Sequence, residues 1–358
     1  MTYLPIFIVL ATLSLLMLIE QFRYNRKYFY IICSVILILF SGFRGEFVGS
    51  DNHSYIRIFE LIPNILIDNK ELSFSEIRME WGYVLVNVVV KLFTSDFTYL
   101  FIVVAFISVG TSSYNYYKIS AFPFLTLLLY FVHAYFYRDM NQLRAGLACS
   151  IALFSIVHIH EKRTKEFMLT IIVAAFFHMA STILILAYLF RLLEPKRKML
   201  IITVFFGLLL DLLNVTEYVV QFIPDSLKSI QSTIDNYSNS QMYSQDLGLF
   251  NITNIKSYVI LGVGLIFYER IKKQVPLFTT IIAMYTLSVS WRIAFSGFSI
   301  LSGRVATFFE IVEVILVPMF CLLIKNKLVG HIIIIIYAFA IFYLNVFSLD
   351  RIPYYTSY

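Results

Sequence analysis

Apolar runs recur along the whole chain, near residues 3–21, 28–43, 97–116, 121–137, 143–159, 199–213, 255–269, 276–290, 303–324 and 328–347. A helix of about 20 apolar residues crosses the hydrocarbon core of a bilayer, and about 17 is the practical minimum. The solvent for this chain is therefore lipid. In lipid the backbone must satisfy its own hydrogen bonds, which leaves helices or closed barrels, and runs of this length select helices. Composition agrees: 59% of the 358 residues are hydrophobic and 14% are charged, where soluble domains carry about a quarter charged residues. A soluble enzyme with one globular core and a disordered chain are both excluded. Cys33, Cys149 and Cys321 each sit inside an apolar run and form neither a disulfide set nor a metal-ligand spacing. The first run, Tyr3 to Ile19, follows no basic segment and precedes no small-residue cleavage site, so it is read as a retained helix.

Charge orients the helices. The formal charge of +6 is scattered in short clusters between apolar runs, which fits membrane topology and offers no nucleic-acid surface. The run from Phe167 to Leu193 is too long for one upright crossing and carries His178 near its middle, so two short helices turning at His178 are expected. Segment 81–93 is short for a span. Its Tyr83, Asn87 and Lys91 fall at i, i+4 and i+8 and form one polar stripe, the pattern of a helix lying in the interface. If 81–93 does not cross, the clusters at Arg23–Lys27, Lys162–Lys165, Arg191–Lys198, Arg270–Lys273 and Lys325–Lys327 fall on one side with Lys118. That side then holds sixteen Lys and Arg against five Asp and Glu, the positive-inside asymmetry. The expectation is an all-α polytopic membrane protein, one integral domain over 1–358, with about twelve transmembrane helices and both termini outside. Two long external loops follow, 44–96 with the interfacial helix and 214–254. The second is rich in Ser, Asn, Gln and Tyr, a composition that suits sugars and equally describes any exposed loop. No internal repeat marks an inverted-repeat transporter.

Charges near or within spans need a reason, because Arg or Asp at a helix centre costs about 2.5–3.5 kcal/mol on insertion. Here they gather on the expected outer side. Arg44 closes the second helix, Arg138 and Arg144 flank the turn 139–143, and Arg292 and Arg304 bracket a turn near 296–299, with Glu310 and Glu313 beyond. Guanidinium groups fork onto phosphate oxygens and stay charged at any relevant pH. The five arginines are therefore candidate ligands of a lipid-borne diphosphate. The plain alternative is that each snorkels to water or pairs with an acid such as Glu46, Asp139 or Glu310. Asp51, Glu80 and His178 are the candidate bases that would deprotonate a sugar hydroxyl at the membrane surface. His158 and His160 stand at i and i+2, off a common helix face, so no metal site is expected. No phosphate-binding loop, dinucleotide fingerprint or hydrolase motif occurs. No cofactor is expected, and the substrate must arrive already activated in the membrane.

The ordered pattern Phe43-Arg44, Gly49-Ser50-Asp51, Tyr55, Phe59, Glu80-Trp81-Gly82-Tyr83, Gln142-Leu143-Arg144-Ala145-Gly146-Leu147-Ala148, Phe177-His178 and Gly303-Arg304 resembles the EpsG-type family of Wzy-like surface-polysaccharide polymerases. The resemblance covers roughly residues 30–320. It implies a fold like the polytopic C-type glycosyltransferases and polymerisation of undecaprenyl-diphosphate-linked oligosaccharide repeat units into O-antigen or a related glycan. It places the active site on the periplasmic face of the bacterial inner membrane. Arg44, Asp51, Glu80, Arg144, His178 and Arg304 match the family's recurrent polar positions, while the Arg138-Asp139 pair is an addition. The implied partners are the lipid-linked donor and acceptor glycans, membrane lipids and a chain-length regulator. A flippase of the same lipid-linked unit and a glycan ligase are the competing readings.

Overall fold

The computed structural model describes residues 3–63, 79–215, 249–297 and 299–348, with the side chains of 299–301, 347 and 348 excepted. Every regular element among these residues is helical. The part of the first external loop at 64–78 and most of the second, 216–248, lie outside the described residues, as does Phe298 in the turn near 296–299.

The surface identifies the solvent. Helix Arg197–Leu212 exposes Ile202, Phe205, Phe206, Leu209 and Leu212, and helix Lys327–Tyr343 exposes Leu328, Val329, Ile332, Ile333 and Ile336. Whole helix faces of aliphatic and aromatic side chains belong in lipid, since soluble monomers rarely show contiguous patches of that size. Serines go the other way, with Ser41, Ser108, Ser155 and Ser181 fully buried. Inside helices, Ser34 and Thr286 donate to the carbonyls four residues back, Tyr30 at 2.9 Å and Ile282 at 2.7 Å. Such bonds keep hydroxyls satisfied where water is absent.

Helices Phe97–Ile119, Leu143–His160 and Lys327–Val346 are long and apolar enough to cross a membrane. A fourth crossing exists if Ser302–Glu310 and Glu313–Leu323, successive helices separated by a break, form one span. The expected twelve crossings are not established by this set. Helices such as Arg26–Gly42 and Phe278–Ala294, at 17 residues each, reach about 25 Å at 1.5 Å per residue, short of the ~30 Å core.

The chain divides into two compact units. The first comprises Met1–Ser155, Glu166–Met179 and Val317–Tyr358. In it Arg26–Gly42 packs along Phe97–Ile119, and the Tyr30 hydroxyl donates to the Ser113 carbonyl at 3.0 Å. Helix Pro123–Tyr130 widens into a π-helical segment, Phe131–Asp139, from which the Tyr135 hydroxyl donates to the Leu37 carbonyl at 2.6 Å. Short helices Asn52–Leu61 and Trp81–Lys91 complete an apolar core around Phe59, Tyr83, Phe101 and Leu147.

Helix Trp81–Lys91 corrects the reading of its polar stripe. Tyr83 and Asn87 are 0% exposed and Lys91 is 9% exposed, while Trp81, Leu85 and Val89 face outward. The stripe packs into the protein because the surroundings of this helix are apolar and polar groups find partners only inside. Asn87 donates to the Tyr83 carbonyl at 2.7 Å. The Lys91 ammonium donates to the Phe59 carbonyl at 3.3 Å and lies 4.4 Å from the Phe59 ring centre, neutralising the C-terminal end of helix Asn52–Leu61.

The second unit comprises Ile156–Lys165 and Ala180–Leu316. Its centre is Phe278–Ala294, packed by Arg197–Leu212, Ile252–Ile266 and Ser299–Glu310. The long run 167–193 breaks where the sequence predicts. Helix Thr164–Phe177 ends at His178, and a 3-10 turn, Met179–Ile183, leads into Leu184–Leu192.

Candidate active site

In the first unit, short motifs from four separate stretches of chain meet. Glu80 precedes helix Trp81–Lys91 in an extended conformation, and its carbonyl accepts from Tyr83 and Val84 at 3.1 and 3.2 Å. Its side chain caps none of the helix N–H groups. The carboxylate turns instead to two other residues. One oxygen pairs with the Arg144 guanidinium, and the other lies 3.8 Å from the His178 Nδ1. At that distance Glu80 acts on His178 through charge and not through a hydrogen bond. All three side chains are about a quarter exposed: 22% for Glu80, 28% for Arg144 and 24% for His178.

Gly82 makes this meeting possible. A Cβ there would stand 2.8 Å from the Phe176 carbonyl oxygen, so only glycine lets the start of helix Trp81–Lys91 approach the Phe176–His178 turn. Arg144 is carried by the first turn of Leu143–His160. The charge of Arg144 is felt at the Tyr55 hydroxyl. Tyr55 is buried against Tyr83, ring centres 5.3 Å apart. Burial pushes its hydroxyl pKa up, and the charge of Arg144 opposes that rise.

Asp51 sits at the head of helix Asn52–Leu61, and its charge is felt at Tyr55. Its loop is tied to the turn before Arg144, because Asn141 Oδ1 accepts from the Asp51 N–H at 3.0 Å and the Ser50 hydroxyl at 3.2 Å. Gly49 supports the tie with φ +115°, a backbone conformation that L side chains rarely adopt. Arg44 is enclosed, with 0% exposure. It donates to the Ser41 carbonyl at 2.5 Å, the Ser41 hydroxyl at 3.2 Å and Asn52 Oδ1 at 3.5 Å, and it stacks 4.1 Å over the Phe101 ring. In this arrangement it holds the 41–52 turn together and presents no surface to a ligand. Arg138 is buried beside Asp139, whose carboxylate accepts from the Tyr130 hydroxyl at 2.5 Å.

Arg292 and Arg304 belong to the second unit. Arg304 is exposed on Ser299–Glu310. Arg292 is 11% exposed and pairs with Glu310, the alternative that the sequence already allowed. Lys256 joins them, 2.6 Å from Glu313 and 3.8 Å from Glu310, and the Tyr285 hydroxyl donates to Glu313 at 2.9 Å. The two cations and two carboxylates neutralise one another.

Sequence reasoning named Glu80, Arg144, His178 and Asp51. It assigned no role to Tyr55, Asn141, Lys256 or Tyr285. Tyr55 follows Asp51 at i+4, so a common helix face was the available signal. Asn141 is adjacent to the Gln142–Ala148 motif but carries no distinguishing pattern.

Among the described residues, helices with aliphatic faces outward and an acid, a guanidinium and an imidazole gathered in one place define the class: a helical membrane protein with a polar cluster in its first unit. The chain belongs to the EpsG family, whose model matches residues 27–356. It is similar to the amylovoran biosynthesis protein AmsC of Erwinia amylovora, with 24% identity over 310 residues that cover 85% of this chain and 81% of that protein. No solved structure matches the chain. The resemblance carried by the short polar motifs is thereby borne out.

Proposed function

We propose that this chain is a surface-polysaccharide polymerase of the bacterial inner membrane, joining undecaprenyl-diphosphate-linked oligosaccharide repeat units on the periplasmic face. The reading is supported by the EpsG family and by a relative named for the biosynthesis of one exopolysaccharide, amylovoran. The observation that carries it is the single Glu80 carboxylate shared between Arg144 and His178. Arg144 receives the diphosphate of the donor and stabilises the charge that develops as it leaves, a preorganised electrostatic role. His178 takes the proton of the acceptor hydroxyl, and Glu80 stabilises the imidazolium that results. Asp51 is the alternative base. Arg44 acts through the 41–52 turn that it holds, and Arg138 and Arg292 act through their buried surroundings. Direct attack of the hydroxyl on the anomeric carbon expels the lipid diphosphate and inverts that centre. No metal is required if guanidinium groups neutralise the departing diphosphate.

The test is incubation of the purified protein in nanodiscs with a defined lipid-linked repeat unit. A ladder of longer lipid-linked glycans is expected. Unchanged lipid-linked material under conditions where the protein moves it across the bilayer assigns a flippase. Transfer of the glycan to a different lipid assigns a ligase.

A further inference from the structure

We infer that the basic end of the second unit is a docking surface for anionic phospholipid headgroups. Three separate stretches build it, 160–165, 191–198 and 268–274. Together they carry ten Lys and Arg against three Asp and Glu. Two of the three acids are already taken, Glu194 by Lys162 and Glu161 by Arg163. Lys165, the run Lys196 to Lys198, Arg270, Lys272 and Lys273 are all exposed. Among the described residues none of these seven cations pairs with an acid.

The three stretches are held together by contacts that leave these cations out. The Tyr188 and Thr164 hydroxyls are 2.5 Å apart, and the Tyr188 hydroxyl donates to the Lys162 carbonyl at 3.3 Å. His160 Nδ1 lies 2.9 Å from the Thr280 hydroxyl, and the Tyr268 and Phe278 ring centres are 5.6 Å apart. Like charges are thus fixed near one another, which costs self-repulsion until anions cover them. Helix Arg197–Leu212 shows that the anion is a lipid. Lys198, Ile202, Phe205 and Leu209 follow at i, i+4, i+7 and i+11, along one helix face, and all four are exposed. From Lys198 to Leu209 the stripe runs about 16 Å at 1.5 Å per residue, half of the ~30 Å hydrocarbon core. A cation therefore heads an apolar strip one leaflet deep, the layout of a phosphate above its acyl chains. A soluble anion or an acidic protein segment would leave that strip uncovered.

The probes are phosphatidylglycerol and phosphatidylcholine, titrated separately into the full-length protein in an uncharged detergent, with bound lipids counted by native mass spectrometry. Phosphatidylglycerol is expected to bind more tightly at low salt, and added salt should narrow the gap. A basic residue near an anionic surface is worth about a factor of five in binding. The joint change Lys196→Gln, Arg197→Gln and Lys198→Gln is therefore expected to cut the preference at least tenfold. Should that protein fail to assemble, Lys198→Gln alone is expected to cut it about fivefold. Equal binding of the two lipids by the wild type overturns the inference, and so does a preference that survives these changes. Displacement of phosphatidylglycerol by an equal concentration of inorganic phosphate assigns a free-anion site instead. Binding of polyglutamate while the two lipids bind alike assigns an acidic protein partner. Either result overturns the lipid assignment.

Discussion

The contact at Gly82 sets up a comparison whose sign is fixed by geometry. A Cβ at position 82 would lie 2.8 Å from the Phe176 carbonyl oxygen, 3.0 Å from its carbon and 3.2 Å from its Cβ. Backbone cannot rotate away as a side chain can, so the helix start must retreat. Overpacking of this kind costs typically 1–3 kcal/mol. Alanine in a helix returns up to about 1 kcal/mol relative to glycine, leaving a net loss of roughly 1 kcal/mol. Gly110 in Phe97–Ile119 is the control, because a Cβ there meets only the Ile38 Cδ1 at 3.7 Å, an ordinary contact. Gly110→Ala should gain up to about 1 kcal/mol, so the two variants should differ by about 2 kcal/mol. Apparent unfolding midpoints in nanodiscs at one heating rate give the comparison. Gly82→Ala should also shorten the glycan ladder, since the retreat carries Glu80 away from His178. A Gly82→Ala protein as stable as Gly110→Ala, with normal chain length, refutes the reasoning.

Replacing Arg144 with Lys leaves a charge but no planar fork; elongation should fall at least tenfold at equal expression, read as glycan length on gels. Lys91→Met should lower the unfolding midpoint, because the Phe59 carbonyl loses its donor and the ring its cation, a loss of about 1–2 kcal/mol. On the side assigned to the cytoplasm, Lys162 holds the Glu194 carboxyl below its ordinary pKa of 4.5. The stabilisation is therefore complete above pH 4.5 and is lost as pH falls through the lowered folded value. Glu194→Gln should remove this part of the acid-side slope of stability, and an identical slope in both proteins would contradict it. Reporter fusions after Lys91, Arg138 and Lys165 should read outside, outside and inside; an inside result at Lys91 would overturn the orientation drawn from the basic clusters.

Much of the site was legible because charge in an apolar background is expensive. Glu80, Arg144 and His178 stood out on that ground alone, and the structure brings them within reach of one carboxylate. The break at His178 was legible from run length. The direction of the Tyr83–Lys91 stripe was not, because an amphipathic pattern states that two faces differ without saying which faces water; here the apolar face looks outward. Arg44 reads in sequence like Arg144, and only the placement of Ser41, Asn52 and Phe101 around it separates a structural clamp from a ligand-facing group. Tyr55 stands in the ordered motif pattern, but without a charge it is one of 25 tyrosines, and nothing local distinguishes a phenol beside a polar cluster from one that only fills a core.

The largely enclosed quartet of Lys256, Arg292, Glu310 and Glu313 has a consequence for how this sequence is able to drift. Replacing any one member by an uncharged residue strands an opposite charge among apolar helices, which costs several kcal/mol. Removing an oppositely charged couple together leaves no such orphan. Variation at these four positions should therefore arrive as matched losses or swaps across Ile252–Ile266, Phe278–Ala294 and residues 310–313, making remote parts of the second unit inherit one another's changes.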